Sequence, residues 1–337
     1  MNSTERMNAF LTNNTIDRRP FSLTLSLFGK KYVGADSEKY FSDKDLYIEG
    51  QINIAKKIDP DVMFTPFAYA REAESFGGDV IYLDDGTPNV KRFACADCKK
   101  LDDFELKEPM DYKVHRYNLD CCKGMVDQLN GEKPVAAILL SPMELPILIC
   151  SLEKWLECLL FEEDIYQRTI EKTTRFFKEY IKQMADAGAS FAVLPMVFSN
   201  PWIVNIKIIR SKVLPVLEEA FKDSPIPVIL HHGGAKMSHF LPILKDISNV
   251  AGFVLDSEDD PILAREEVGP DKVLIGNIDG PTLWKYTTEN IEGKLKDLLK
   301  KIQKDKLFIP GTSGPDILTK TSEKNLKIFK KVLEETV

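Results

Sequence analysis

Short apolar runs recur along this chain, and each stops at a polar or glycine-rich turn before a helical pattern begins. The runs at 62–65, 135–140, 191–194, 227–230, 252–255, 273–276 and 307–309 are too short for buried helices, and they read as strands buried on both faces. Ahead of them, 21–28 alternates apolar and polar residues and reads as a further strand. Helical patterns at 43–58, 112–129, 151–160, 162–187, 208–222, 237–247, 261–268, 288–304 and 322–335 separate or follow these runs. Strands alternating with helices call for a parallel sheet. Eight strands and a final helix favour closure into a (β/α)8 TIM barrel, one domain spanning 1–337 with a short N-terminal extension. The irregular stretch 67–109, with Asp85-Gly86 as a hairpin turn signal, is expected to form a small antiparallel insertion after the second strand, a lid or rim over the mouth.

Composition narrows the function. Hydrophobic residues make up 44% and charged residues 29%, as in a soluble globular protein. A net charge of -7 argues against a nucleic-acid footprint, which wants a basic face. No apolar run reaches the ~18 residues of a membrane span. The N-terminus is polar and has no secretory h-region. The six cysteines include Cys95-x-x-Cys98, but no second spaced pair completes a zinc ribbon, so they read as reduced thiols of a cytoplasmic protein.

In a closed parallel fold, reactive groups sit at the carboxyl ends of the strands. The most distinctive end is His231-His232-Gly233-Gly234, two of the four histidines at a sharp glycine turn. Strand neighbours point to opposite faces. His231 is expected to face the mouth, and His232 to pack or hydrogen-bond outside it. Asp256, Asn277 and Asp279 close the next two strands and join His231 as catalytic candidates, although Asp256 equally suits a helix cap. Glu144, Asn200, Trp202, Thr312 and Ser313 are the substrate-binding candidates. Thr312-Ser313-Gly314 offers hydroxyls and turned N–H groups.

These strand ends carry a family likeness. His231-His232-Gly233-Gly234, Leu255-Asp256, Gly276-Asn277-Ile278-Asp279 and Thr321-Ser322-Glu323-Lys324-Asn325 resemble the uroporphyrinogen decarboxylase superfamily, as does Glu72-Ala73-Glu74-Ser75-Phe76-Gly77. The decarboxylase branch carries an Arg-Gln-Ala-Gly-Arg-Tyr block after the first strand and Gly-His-Gly after the last. Here those places hold Leu27-Phe28-Gly29-Lys30-Lys31 and Gly311-Thr312-Ser313. Closer is the corrinoid-dependent (methylcobamide) methyltransferase branch, whose His-x-Cys-Gly and later cysteine hold a catalytic zinc. His231 matches the first metal ligand, Gly233 stands for the cysteine, and Thr312 lies near the place of the last. The resemblance leaves three arrangements open: a lost metal, a metal held by His231 with carboxylates such as Asp256, Asp279 or Glu144, or His231 as proton donor without metal.

The expectation is an enzyme that moves a methyl group between a small methyl donor, a methyl ether or methylamine-type compound, and the cobalt of a corrinoid carried by a partner protein. Neither nucleic acid nor membrane is an expected partner, and a homodimer is left open. A uroporphyrinogen decarboxylase-like carboxy-lyase is the alternative. It needs arginines at the mouth, for which Arg71, Arg92 and Arg210 are the candidates. A non-catalytic small-ligand or corrinoid-binding protein is the third reading.

Overall fold

The computed structural model describes residues 1–336. Seven parallel strands form one curled sheet in the order β1 (Met63–Phe64), β4 (Val135–Ile138), β5 (Phe191–Pro195), β6 (Val228–His231), β7 (Val250–Val254), β8 (Val273–Asp279), β9 (Phe308–Ser313). Two short strands, β2 (Asp79–Ile81) and β3 (Asn89–Arg92), pair antiparallel in a separate hairpin. Apolar runs became central strands because helices cover their outer faces. The helix Glu163–Asp186 shows how: Tyr166, Ile170, Thr173, Phe177, Tyr180 and Met184 recur at three- and four-residue spacing and are buried.

The alternating run at 21–28 is not a strand of this sheet. It makes one parallel bridge, Ser22 with Gly311 of β9, and then winds into a 3-10 turn at Leu27–Gly29. Its hydrogen bonds still run to both margins of the sheet. Ser22 N–H donates to the Pro310 carbonyl at 3.1 Å, and the Phe21 carbonyl accepts from Asp61 N–H at 3.1 Å, just ahead of β1. The approach to β9 is so close that a Cβ on Gly311 would lie 2.1 Å from the Ser22 carbonyl oxygen, so glycine is required there.

Alternation along the strands makes two cores. Val62, Phe64, Ile138, Val193, Ile229 and Ile275 belong to a cluster on the concave face, which Met7 and Phe10 of the helix Ser3–Leu11 join. A larger cluster lies between the convex face and the helices. Two further local readings change. The helical pattern at 237–247 condenses to Leu241–Leu244, because Ser238 and the Met237 N–H turn instead to the Asp259 carboxylate. Asp85-Gly86 lies inside a longer hairpin loop rather than in a two-residue turn, and the loop side chain and carbonyls are drawn onto the body. Asp85 accepts from Thr319 N–H at 2.9 Å and its hydroxyl at 2.7 Å, and the Leu83 carbonyl accepts from the Ser37 hydroxyl at 2.7 Å.

Candidate active site at the carboxyl ends of the strands

β6 ends on two imidazoles that stack rather than diverge. The His231 and His232 ring centroids are 4.3 Å apart with planes 23° from parallel, and both residues are buried. Strict alternation fails because the chain turns at once: Gly233 has φ +62° and Gly234 φ +97°. His231 keeps the concave-side position two residues after Ile229, with Phe67 packed 5.7 Å away between centroids.

The backbone partners select the protonation state of His231. Gly233 N–H donates to His231 Nδ1 at 3.2 Å, so the ring proton sits on Nε2, which faces the Gly314 carbonyl at 3.4 Å. Burial drives His231 well below the ordinary imidazole range, and the neighbouring His232 adds to the effect. It is therefore a neutral N–H donor at neutral pH, not an imidazolium acid. His232 Nε2 accepts from Gly314 N–H at 3.1 Å. Gly234 N–H points at the other nitrogen, Nδ1, at 2.9 Å, with Asp256 Oδ2 3.2 Å from it; a neutral ring accepts from one of the two glycine N–H groups, and a proton on Nδ1 is the form that Asp256 would receive. Burial lowers the affinity of His232 for a second proton, against the opposing pull of Asp256, Asp259 and Asp279. The two rings thus grip one glycine turn, Gly314, by its carbonyl and its N–H.

The other candidates divide. Asn277 is spent on backbone: its amide donates to the carbonyls of Asp256 at 3.0 Å and Asp259 at 2.8 Å, fixing the loop after β7. Asp279 accepts from the Thr282 hydroxyl at 2.7 Å. Both line a cavity of about 430 Å3 shared with Pro261, Lys294 and Lys301 of the covering helices, rather than the cavity next to Phe67. Glu144 is fully buried and accepts the N–H groups of Phe198 at 2.6 Å and Ser199 at 2.9 Å. Burial raises its pKa to about 7 against those hydrogen bonds. Asn200 closes its own turn through the Met196 and Val197 carbonyls, while Trp202 is 70% exposed. Thr312 Oγ1 accepts from Thr24 N–H at 3.2 Å, and the Ser313 hydroxyl faces the Ile278 carbonyl at 3.5 Å.

Phe67, Tyr69, Gly314, Asp259 and Asp316 carry more of the site than their positions in the sequence signal. Asp259 accepts from the N–H groups of Asp256, Met237 and Ser238 and so ties the loops after β6 and β7 together. A cavity of about 330 Å3 lies between the strand ends and the hairpin loop, bounded by Leu27, Phe67, Tyr69, Thr87, Pro315 and Asp316 among others. Its lining includes neither arginine nor lysine. Arg71 reaches the Phe41 carbonyl and the Tyr82 hydroxyl, and Arg92 pairs with Asp79 on the hairpin.

A zinc bound as in the methyltransferase branch does not fit these residues. At Gly233 a side chain would begin 2.2 Å from the Met196 carbonyl oxygen, so no ligand can stand there. Both His231 nitrogens face backbone groups and the Thr312 hydroxyl accepts a backbone N–H. Among the described residues, no three His, Cys, Asp or Glu side chains gather as a metal-binding group.

A curled parallel α/β sheet with its polar clusters at the strand ends defines the class of protein. The particular family follows: the family model for Uroporphyrinogen decarboxylase (URO-D) matches residues 2–336, and the chain belongs to that family. A search of curated proteins finds no match. Among solved structures, a methyltransferase from Methanosarcina mazei superposes with a TM-score of 0.86 at 16% identity, covering 100% of this chain and 99% of that one. A B12-independent methionine synthase from Shewanella sp. W3-18-1 gives a TM-score of 0.56 at 15% identity, covering 90% of this chain and 89% of that one. A putative vitamin-B12 independent methionine synthase from Listeria monocytogenes gives 0.58 at 13%, covering 94% and 96%. At these identities the likeness is one of fold.

Proposed function

We propose that this protein is a methyltransferase of a corrinoid-dependent system, acting on a small methyl donor held between the strand ends and the hairpin loop. The segment 21–25 would complete a (β/α)8 barrel as its eighth, irregular stave. The observation that carries the reading is the cavity lining without a cation. A substrate ringed by carboxylates would need guanidinium or ammonium partners once desolvated. A small donor with little charge needs none. The methyltransferase of like fold supports the same choice.

A corrinoid on a partner protein would supply the cobalt that accepts or gives the methyl group. A cavity of about 330 Å3 takes the donor and leaves a corrinoid ring outside, against the rim where Trp202 and Trp284 are exposed. In-line displacement is chiefly a positioning task. The imidazole pair fixes Gly314, and Pro315 and Asp316 follow it directly into the cavity wall. His231 acts here as a neutral positioning group, and no step runs through zinc.

The test combines the purified chain, a corrinoid protein reduced to Co(I) and a panel of methyl donors, and follows formation of methyl-Co(III) by absorbance. Transfer from at least one donor is expected, with kcat reduced at least tenfold in His231→Gln. No transfer from any donor with a competent corrinoid protein overturns the reading, as does decarboxylation of uroporphyrinogen in a parallel incubation. The internal partnering of the imidazole nitrogens also favours a non-catalytic ligand-binding member; binding without turnover, unchanged in His231→Gln, would be its signature.

A further inference from the structure

The polar side chains lining the cavity under the hairpin loop are Tyr69, Thr87, Asn89 and Asp316, none of them a cation. Asp316 is its carboxyl, fully buried, and both oxygens are already engaged: Oδ2 accepts from Leu27 N–H at 2.8 Å and Oδ1 from Ile317 N–H at 3.0 Å. Burial raises its pKa above the ordinary carboxylate value against the pull of those two N–H groups, and with both oxygens held by backbone it is poorly placed to pair with an entering cation. The nearby cations are committed elsewhere. Lys30 reaches Ser37 and the Asp84 carbonyl, and Lys320 lies 3.5 Å from Asp85 and over the Trp284 ring. An anion entering the cavity would give up hydration with no cation to replace it, and an ammonium would meet only a carboxyl whose oxygens are already bound to backbone.

Tyr69 and Thr87 bring hydroxyls to this lining that no hydrogen bond engages, and of the two Tyr69 stands beside the strand ends. It lines the cavity, packs edge-on against Phe67, and its hydroxyl has no hydrogen-bond partner among the described residues. Burial, with Glu144 nearby, raises its pKa to about 12, so the hydroxyl keeps its proton and can donate it in a hydrogen bond. We infer that the cavity beneath the hairpin loop binds small uncharged molecules carrying one hydrogen-bond acceptor, and that the Tyr69 hydroxyl donates to that acceptor. This deepens the reading above by naming the class of molecule taken at that site. It is tested by binding rather than turnover, so either can fail without the other. In a methyl donor, the acceptor would be the oxygen or sulfur that bears the methyl group, and Tyr69 would orient it.

The experiment titrates the whole chain with four probes of matched size: methoxybenzene, toluene, benzoate and benzylammonium. Calorimetry or ligand-detected NMR gives each affinity. Methoxybenzene should bind at least tenfold more tightly than either ion. Tyr69→Phe removes only a hydroxyl that no protein group uses, so the variant should fold with unchanged thermal stability. It should weaken methoxybenzene about tenfold, which is ~1.4 kcal/mol, and leave toluene unaffected. Benzoate or benzylammonium binding as tightly as methoxybenzene would overturn the charge argument. An equal loss for methoxybenzene and toluene, no loss for either, or no binding by any probe would overturn the role of Tyr69.

Discussion

At the scale of single residues, the imidazole pair makes folding sensitive to acid. His231 and His232 are held below the ordinary value chiefly by burial. Below about pH 6.5 the unfolded chain takes up a proton at each histidine while the folded chain does not. Protons therefore favour unfolding, and this contribution is absent at higher pH. Glu144 and Asp316 act in the opposite sense, because their raised pKa values make the folded chain the better proton binder. The histidine contribution is isolated by comparison with His231→Asn. The stability advantage of the wild type should shrink by up to ~1.4 kcal/mol per pH unit below about pH 6.5, read by denaturant unfolding across pH. A difference independent of pH would mean that His231 takes up its proton as readily in the folded chain as in the unfolded one. Gly233 gives a second test. Gly233→Cys restores the ligand that the family likeness calls for, but its Cβ meets the Met196 carbonyl and its φ is +62°. The variant should lose about 2 kcal/mol or more and bind no more zinc than wild type by metal analysis. One equivalent of zinc with unchanged stability would refute this account.

Among the elements, the hairpin loop is held by few contacts, and they are separable. Asp85 accepts both the N–H and the hydroxyl of Thr319. Asp85→Ala should cost about 1–2 kcal/mol of local stability, seen as faster amide exchange across 82–88 with protection at β6 unchanged. Equal exchange in variant and wild type would show that other contacts hold the loop. The same contrast explains what the sequence reveals. Runs such as 191–194 and 227–230 announce themselves because a strand buried on both faces must be apolar throughout. The antiparallel pairing of β2 and β3 is legible too. The segment 21–28 misleads because its alternation is real while its hydrogen bonding is not that of a full ladder: it meets β9 at one bridge. At the site, the place of His231 at a strand end is readable from the glycine turn. The stacking of His232, the diversion of Asn277 into loop carbonyls and the free hydroxyl of Tyr69 depend on contacts between distant segments, which no local pattern encodes.

For the molecule as a whole, the sheet margins meet around one buried carboxylate. Asp61 is fully buried and receives Arg6 and Arg18, each at 2.6 Å, together with the Phe21 N–H at 2.9 Å. Arg6 also pairs with Asp17, which it pulls far below the ordinary carboxylate range. The N-terminal helix, the bridging segment and the lead into β1 therefore share this anion. Such a centre adds little over an apolar one while intact, because three charges lose hydration, but removing one member strands the others. Asp61→Ala should destabilise the fold by about 3–5 kcal/mol and expose the concave core, because Met7 and Phe10 reach it from the helix that Arg6 anchors. Unfolding by denaturant, with exchange at 3–11 and 21–25, checks both parts. A loss below about 1 kcal/mol, the scale of an exposed pair, or unchanged protection in those segments, would show that apolar packing alone holds the margins together.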